Sequence, residues 1–422
     1  MTDATANTGP LVTADGRSLK ASLNRALFRK KLIAFGMVVP LLLFVMATFI
    51  IPIANMLVRS VDNEIVAEIL PRTVVALESW DETSGQLPDE PVFKAMVEDL
   101  VEARKNRTNT KVGQRLNYEK PGMSSMFRGS ARKAGRITEG PYKEALIKAD
   151  KDWANVEVWQ VIKQFSGPYT PGYFLAAVDA KQNPDGSMEF VDNDKAIYGK
   201  LFVRTVVLST VITLLTLLLG FPIAYLIATQ PSRIGNLLII CVLLPFWTSL
   251  LVRTTSWIAL LQQQGVINDI LVFIGLISED GRLAMIHNAT GTVIAMTHIL
   301  LPFMVLPLYS VMKTISPSYM RAATSLGAHP FLAFWKVYFP NTIPGIGAGA
   351  ILVFIIAIGY YITPELVGGT DGTFISNRIA YNISSSLNWG LAAALGVVLL
   401  GIVLIFYFLY DKIVGIDNMK LG

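Results

Sequence analysis

The chain has 422 residues, of which 52% are hydrophobic and only 16% are charged, and its formal net charge at pH 7 is +5. So apolar a composition is atypical of a soluble domain and predicts a membrane protein. The chain has a single cysteine, Cys241, which lies in an apolar run. A disulfide framework is excluded, because one cysteine has no partner within the chain.

Six segments are long and apolar enough to cross a bilayer, whose hydrocarbon core of about 30 Å needs roughly 20 apolar residues in a helix. The predicted spans are residues 32–57, 201–228, 237–261, 292–312, 346–366 and 391–410. Prolines inside them are compatible with this assignment, because neighbouring helices can satisfy the backbone groups that a proline leaves unpaired. The predicted fold class is therefore an all-α membrane protein with six transmembrane helices.

The distribution of positive charge predicts the orientation of the chain. Six basic residues and few acids precede the first span: Arg17, Lys20, Arg25, Arg29, Lys30 and Lys31. Because cytoplasmic flanks carry the excess of Lys and Arg, residues 1–31 are predicted as a cytoplasmic tail, and six spans return residues 411–422 to the same side. A cleaved signal peptide is the alternative for the first span. The basic region lies far inside the chain and no small-residue cleavage site follows, which favours a span.

A long polar insert, residues 58–200, separates the first two spans and is predicted to lie outside the cytoplasm. Its segments ETSGQLPDEP and QNPDGSMEF are typical of turns or loops. In YKEALIKADKDWANVEVWQVIKQF, apolar residues recur close to helical spacing: Tyr142, Ala145, Leu146, Ala149, Trp153, Val156, Val158, Trp159 and Ile162. The prediction is a small, mostly helical domain, either a passive spacer or a docking platform for a soluble partner. The second is slightly favoured, since a structureless insert of this length would be unusual.

A mixed, aromatic-rich segment, MRAATSLGAHPFLAFWKVYFP, occupies residues 320–340 of the predicted cytoplasmic loop 313–344. SYMRAATSLG and PFLAFWKVYF each fit a short helix, because Gly327 permits the positive φ that ends a helix and Pro330 suits a first helical turn. The second helix carries a bulky aromatic face: Phe331, Phe334, Trp335 and Tyr338. Such a loop fits a groove on another protein or lies at the membrane interface, and the spacing does not separate these two interpretations.

The spacing Ala322-Ala323-x3-Gly327-x9-Val337-x-Phe339-Pro340 resembles the EAA loop of bacterial ABC importer permeases, whose pattern is Glu-Ala-Ala-x3-Gly-x9-Ile-x-Leu-Pro. Val337 and Phe339 keep the apolar class of the family residues. Arg321 stands where the family has glutamate, a departure that bears on any ion pair with the ATPase and not on the shape of the loop. In the family this loop forms a coupling helix that inserts into a cleft on the ATP-hydrolysing subunit.

Three further segments look like spermidine/putrescine-type permeases: LTLLLGFPIAYLIA, LLPFWTSLLVRTTSWIALLQQQGVIN at residues 243–268, and YYITPELVGG at residues 360–369. The resemblance covers all six spans and implies a type I ABC importer permease of the bacterial inner membrane, with its core at residues 201–410. It implies as partners a cytoplasmic ABC ATPase dimer, a second permease subunit that is a different chain, an extracytoplasmic substrate-binding protein and membrane lipid. The insert departs from the family, whose members usually have a much shorter segment there.

Catalytic and cofactor motifs are absent from the sequence. It contains no GxxxxGK[ST], HExxH or GxSxG pattern and no paired cysteines, so ATP and Mg are expected on a separate ATPase and no cofactor, metal or nucleic acid on this chain. The three histidines, His287, His298 and His329, lie on different segments, which gives little support to a metal site or a triad. His298, inside the fourth span, either lines a pathway or is a hydrogen-bonded packing residue, and the second is favoured.

Charged and aromatic residues within or beside the spans define a candidate translocation pathway, because charge in lipid is unfavourable and tends to face a cavity or a partner. Arg253 lies inside the third span and Glu365 ends the fifth, so they are predicted to form an ion pair, to border the route, or both. Arg204 is predicted to extend to the membrane interface. A cationic polyamine would need acids and aromatic faces. The candidates on this chemistry are Trp247, Trp257, Tyr360, Tyr361 and Glu365, with an interfacial belt or ordinary helix packing as the alternative for the aromatic residues.

The expected function is a non-enzymatic permease subunit of an ATP-driven, binding-protein-dependent importer for polyamines. The first alternative is the same importer class with another small organic solute, such as an amino-acid derivative or an opine. A membrane receptor with the insert as sensor would need a cytoplasmic signalling domain, and a secondary transporter would need an ion-coupling site and usually an internal repeat. The sequence displays none of these clearly.

Overall fold

The computed structural model describes the backbone of residues 19–183 and 186–414, with side chains from residue 27 to residue 412 within those ranges. Most of the two predicted tails therefore lies outside the described residues. The chain divides into two compact units between Val58 and Arg59. The first described helices are α1, Leu19–Val45, and α2, Ile51–Arg59, which a π-helical turn joins.

The helix formed by α1 and α2 is apolar over Leu27–Arg59. A helix of this length and composition is sufficient to cross the hydrocarbon core of a bilayer. The predicted first span, residues 32–57, falls within these bounds.

The insert is mostly helical, as predicted. Its helices are α3, Glu64–Ile69; α4, Pro71–Leu77; α5, Glu90–Lys105; α6, Asn109–Asn117; α7, Met123–Ala134; α8, Tyr142–Ala149; α9, Val156–Gln164; and α10, Gly172–Ala177. The segment QNPDGSMEF was predicted as a turn or loop, and the structure shows that it also carries paired strands. Residues 180–182 and 188–190 form an antiparallel two-stranded sheet of β1, Ala180–Gln182, and β2, Met188–Phe190.

Two tryptophans form the centre of the insert. Trp153 and Trp159 are fully buried, with ring centroids 5.1 Å apart, and Phe93 and Phe127 pack against them. The Trp153 indole donates a hydrogen bond of 2.7 Å to Ser130 Oγ, so that its polar atom is satisfied inside the core. The predicted apolar stripe is therefore a core element, although a 3₁₀ turn at Lys151–Ala154 divides it between α8 and α9.

The part of the chain that follows the insert contains the remaining described helices. They are α11, Tyr198–Thr229; α12, Ser232–Leu243; α13, Leu250–Leu261; α14, Val266–Phe273; α15, Ala289–Thr314; α16, Pro317–Ser325; α17, Pro330–Ala333; α18, Phe339–Gly359; α19, Ile362–Val367; α20, Gly369–Gly372; α21, Ile375–Ser384; and α22, Trp389–Val414. Helices α11, α15 and α22 contain the predicted second, fourth and sixth spans within a few residues of their expected bounds.

The third span is not the continuous helix that was predicted for residues 237–261. Two apolar segments, Ser232–Trp247 and Leu250–Phe273, meet at 94°, and counting this pair as one span gives six apolar spans in the described part of the chain. The reason is local. Pro245 has no amide hydrogen to continue the helix, and Ser249 Oγ then caps α13 by accepting a 3.2 Å hydrogen bond from Val252 N.

The fifth span begins and ends earlier than the predicted residues 346–366. An apolar helix runs through Pro330–Gly359, with a π-helical turn between α17 and α18. Tyr360 leaves the helix with extended backbone angles, and the chain continues in the short helix α19. Residues 360–366 are therefore separated from the span.

Helices α11 and α18 both pack closely on α15, and small residues make this possible. A side chain at Gly349 would place its Cβ 2.7 Å from Met304 Sδ, and one at Gly220 would place it 3.1 Å from Met304 Cγ. Close approach of helices through small residues is the usual way in which membrane helices gain packing energy. This three-helix contact is the rigid support for the loop that joins α15 to α18.

Candidate functional site

The loop between α15 and α18 folds as two short helices with a sharp turn between them, as predicted. Helix α16 contains Arg321, Ala322 and Ala323, and it ends at Gly327, whose φ of +90° is the left-handed conformation that glycine adopts without strain. His329 then caps α17, because its Nδ1 accepts a 3.3 Å hydrogen bond from Phe331 N. The positions that match the EAA pattern therefore lie on a helix–turn–helix segment.

The turn and the start of the second helix present apolar side chains at the surface. Leu326 is 89% exposed, Phe331 is 68% exposed and Trp335 is 47% exposed, and Arg321 and Gly327 are also exposed. None of the ion pairs among the described residues includes Arg321. We call Leu326, Phe331 and Trp335 the loop apex.

The aromatic face predicted for the second helix is divided between two surfaces. Phe334 and Tyr338 turn inward and stack on each other at 5.6 Å. They also pack against Tyr225 of α11, with ring centroids 5.8 and 5.2 Å away. Phe221 of α11 contacts Phe334 and Phe339 at 6.3 and 5.8 Å. The loop is thus joined to α11 by an aromatic cluster of Phe221, Tyr225, Phe334, Tyr338 and Phe339, whereas the loop apex stays exposed. Val337 is half-buried, and Pro340 is exposed at the start of α18.

The pathway candidates of the third span lie around its break. Trp247 is 75% exposed, immediately before the bend. Arg253 is only partly exposed, its Nε is buried without a hydrogen-bond partner, and its guanidinium lies 5.8 Å from the Phe246 ring centroid. Trp257 donates a 3.1 Å hydrogen bond to Nδ1 of His298. His298 is therefore a hydrogen-bonded packing residue, the interpretation that the sequence favoured.

The predicted ion pair between Arg253 and Glu365 is wrong. Neither residue belongs to an ion pair among the described side chains. Helices α13 and α19 do meet, through a 3.2 Å contact between the hydroxyls of Thr254 and Thr363. Successive residues of a helix point in directions about 100° apart, so contact at one position does not bring its charged neighbours together.

Glu365 is instead held by Asn377 of α21. Asn377 Nδ2 donates to Glu365 Oε2 at 2.6 Å and to the Tyr361 carbonyl at 2.9 Å, and Ser376 Oγ donates to the Tyr360 carbonyl at 2.6 Å. The backbone carbonyls of Tyr360 and Tyr361 and the carboxylate of Glu365 are thus all hydrogen-bonded to one short helix, α21. The sequence gives no indication of this role of Asn377, because no spacing rule links it to Glu365, 12 positions earlier, or to Tyr361.

A cavity of about 360 Å³ opens beside Glu365, at the end of α11 where the insert joins the core. Its lining contains three cations, Lys200, Arg204 and Arg378, and Glu365 is the acid among its lining residues. Arg204 Nη1 donates a 2.6 Å hydrogen bond to the Thr370 carbonyl, which fixes its guanidinium at the rim. The cavity is therefore predominantly basic. Of its three cations, the sequence singled out only Arg204, which was predicted to extend to the membrane interface.

The comparisons identify the class of protein. A family model described as the binding-protein-dependent transport system inner membrane component matches residues 219–414, which include the loop apex and the Glu365 region but not the insert. The spermidine/putrescine transport system permease protein PotB of Haemophilus influenzae is 33% identical over 222 residues, which cover 52% of this chain and 77% of that protein. The chain therefore belongs to the ABC importer permeases, as an inner-membrane component of a binding-protein-dependent transport system.

One further relative is also a permease of an ABC transporter. The inner membrane ABC transporter permease protein YdcU of Escherichia coli is 30% identical over 271 residues, covering 61% of this chain and 82% of that protein. A solved bacterial alginate ABC transporter, in complex with an alginate pentasaccharide-bound periplasmic protein, matches at 20% identity with a TM-score of 0.41, over 53% of this chain and 80% of that chain.

Proposed function

We propose that this chain is the permease subunit of an ATP-driven importer and that the loop apex docks on a separate ATPase. The observation that carries the proposal is the exposed apolar apex at Gly327, with Leu326 and Phe331 on a loop whose spacing matches the EAA pattern. Large exposed apolar side chains on a polar loop are typical of a protein interface. In this proposal ATP and Mg bind to the partner, and the sequence of this chain has no phosphate-binding GxxxxGK[ST] pattern.

The aromatic cluster supplies a route for motion from the ATPase to the membrane helices. A displacement of the loop apex would act on Phe334 and Tyr338, and through their ring contacts on Tyr225 of α11. Because packed side chains deform little, such a displacement moves whole helices rather than single residues. In this proposal a second permease chain completes the pathway, and the binding protein delivers substrate on the side of the insert. The termini are assigned to the cytoplasm by the basic residues before the first span.

For the substrate we propose a polyamine. The support is the spermidine/putrescine transport function of the PotB relatives, together with Glu365 and Tyr361, which lie at the same end of the core and share Asn377 as hydrogen-bond donor. A carboxylate and an aromatic face are the groups that attract an organic ammonium.

A second candidate is a small solute that carries a carboxylate, such as an amino-acid derivative or an opine. Lys200, Arg204 and Arg378 line the cavity beside Glu365, so the site offers three cations and one acid. Arginine recognises carboxylates through paired N–H donors, and Glu365 remains for an ammonium group. A zwitterion satisfies both signs of charge.

The docking proposal is tested by copurification of the tagged chain from its native membrane, with mass spectrometry of the proteins recovered. Leu326→Glu is expected to reduce recovery of the ATPase by about tenfold or more, since it places a charge in an apolar contact. Val75→Glu is the matched control, because Val75 is also strongly exposed, at 66%, but lies in the insert. Equal ATPase recovery with both variants would refute docking at the apex.

The substrate is tested by ATP hydrolysis of the reconstituted complex in the presence of its binding protein. Putrescine and spermidine are compared with arginine and octopine at equal concentrations. Stimulation by the diamine and triamine supports the polyamine proposal, whereas stimulation confined to the carboxylate-bearing probes supports the second candidate. Arg378→Gln should affect only the second response.

A further inference from the structure

Arg115 of α6 is a buried cation whose hydrogen bonding is incomplete. It is 3% exposed, its Nε donates to Asn63 Oδ1 at 2.9 Å, and its Nη1 donates to Glu119 Oε1 at 2.7 Å. The remaining nitrogen, Nη2, is buried and has no hydrogen-bond partner. A buried donor without an acceptor is unfavourable, and more so when it is charged.

The neighbouring rings do not supply the missing acceptor. The Arg115 guanidinium carbon lies 4.8 Å from the Phe165 ring centroid and 4.7 Å from the Tyr173 ring centroid. Such contacts use the flat face of the guanidinium, whereas its N–H groups point outward in its plane. Burial raises the pKa of Tyr173 to about 12, so this ring is a neutral phenol at physiological pH and does not compensate the charge.

A cavity of about 250 Å³ adjoins this arginine. Its lining includes the cations Arg59, Lys111 and Arg115, and Asp62 is the acid among the lining residues. Among the described side chains, neither Arg59 nor Lys111 belongs to an ion pair. The Glu119 carboxylate engages Arg115 on Nη1 and leaves Nη2 free. The cavity thus has an excess of positive charge, and Arg115, one of its lining residues, has a buried donor without an acceptor.

Part of the cavity lining comes from the turn before α22, with Leu387 and Asn388, and from the first residues of α22, Trp389 and Gly390. The insert is attached at this point. Tyr118 Oη donates to the Ser386 carbonyl at 2.5 Å, and Gln114 Nε2 donates to the same oxygen at 3.2 Å. Tyr173 packs so closely on Gly390 that a Cβ there would lie 2.3 Å from the ring. A molecule in the cavity therefore contacts the insert and the entrance to the last membrane helix together.

We infer that this cavity binds a small anion with a carboxylate or phosphate group, which accepts from Nη2 of Arg115 and is attracted by Lys111. The bound anion stabilises the insert against the turn before α22, because it contacts both. The anion is either a free solute or the phosphate of a lipid headgroup, since the recognised chemistry is the same. This site is independent of the loop apex and of the transported substrate.

The test measures the unfolding temperature of the purified full-length chain by tryptophan fluorescence. Inorganic phosphate and succinate are titrated against chloride at equal ionic strength, in dodecyl maltoside, a detergent that contains no phosphate. The expected result is a saturable rise in the unfolding temperature with phosphate or succinate that chloride does not give. A rise no larger than that with chloride overturns the inference.

Variants separate the site from general charge effects. Lys111→Gln is expected to raise the apparent dissociation constant about tenfold, the effect of losing one charge-assisted contact. Lys148→Gln, an exposed lysine of α8, is the control and should leave it unchanged. Arg115→Gln should abolish the rise in unfolding temperature with phosphate. If Arg115→Gln does not fold, Lys111→Gln still tests the site. An unchanged response in Lys111→Gln would contradict the assignment.

The source of the anion is distinguished by lipid composition. If a lipid headgroup fills the cavity, phosphatidylglycerol added to the detergent raises the unfolding temperature of the wild type and removes the effect of added phosphate, and it does neither with Lys111→Gln. If a free solute fills it, the phosphate response is the same with and without the lipid.

Discussion

Replacing Phe334 with alanine removes the centre of the contact that α11 makes with the loop between α15 and α18. The Phe334 ring lies 5.6 Å from Tyr338, 5.8 Å from Tyr225, 6.3 Å from Phe221 and 5.6 Å from Trp335. At about 0.5–1.5 kcal/mol for each aromatic pair, the four contacts contribute about 2–6 kcal/mol of packing. A coupling free energy of about 1–3 kcal/mol between two sites corresponds to a 5–150-fold effect. The lost packing is therefore large enough to uncouple the loop from the membrane helices.

The assay is uptake and ATP hydrolysis by the complex reconstituted in liposomes. Phe334→Ala is expected to retain the ATPase but to lower the amount of substrate transported per ATP by about tenfold. Phe331→Ala is the matched control, because Phe331 is 68% exposed and makes one ring contact, with Trp335 at 6.2 Å. It should weaken ATPase recovery and leave the transport ratio of the remaining complex unchanged. A transport ratio for Phe334→Ala within twofold of the wild type would refute transmission through the aromatic cluster.

Two further predictions concern stability. Gly349→Leu places a Cβ 2.7 Å from Met304 Sδ, so we expect overpacking to lower the free energy of unfolding by about 1–3 kcal/mol and to lower the unfolding temperature in detergent. Gly401→Leu is the control and should leave the unfolding temperature unchanged, because no atom lies within 4 Å of a Cβ at that position. An unchanged unfolding temperature for Gly349→Leu would show that α15 and α18 separate easily. The hydrogen bond from Lys163 holds the pKa of Glu82 below its ordinary value of 4.5, so its contribution to stability is present above that pH and is lost as the pH falls through the folded-state pKa. Glu82→Gln should therefore lower the unfolding temperature modestly at pH 7, with a difference from the wild type that shrinks below pH 4.5, and a difference independent of pH would contradict this assignment.

The sequence alone was sufficient for the features that depend on local physics. Span positions follow from the length of apolar runs, and α11, α15 and α22 lie close to their predicted bounds. The turn at Gly327 follows from its conformational freedom and from Pro330, which begins the next helix. Helical spacing placed Trp153 and Trp159 on one apolar stripe of a helical insert, and both are buried in its core. The spacing of the EAA pattern gave the family.

The sequence was insufficient wherever the outcome depended on which surfaces meet after folding. The sequence places Arg253 and Glu365 at similar depth, but it does not show that α13 and α19 meet through Thr254 and Thr363. That contact leaves the two charged side chains without each other as partners. The third span breaks because Pro245 and Ser249 act together, although a proline alone is compatible with a continuous span.

The division of the aromatic face illustrates the physical reason. Apolar periodicity reports that a residue avoids water, and both an internal partner and an external one satisfy that requirement. Only the tertiary structure pairs Phe334 with Phe221, which precedes it by more than a hundred residues, and leaves Phe331 exposed. In the same way, the sequence contains Arg115 as one cation among many, whereas its burial between two rings beside the start of α22 is decided by the packing of the insert on the core. Local preference fixes elements and turns, and long-range contact decides which side chain is left without a partner.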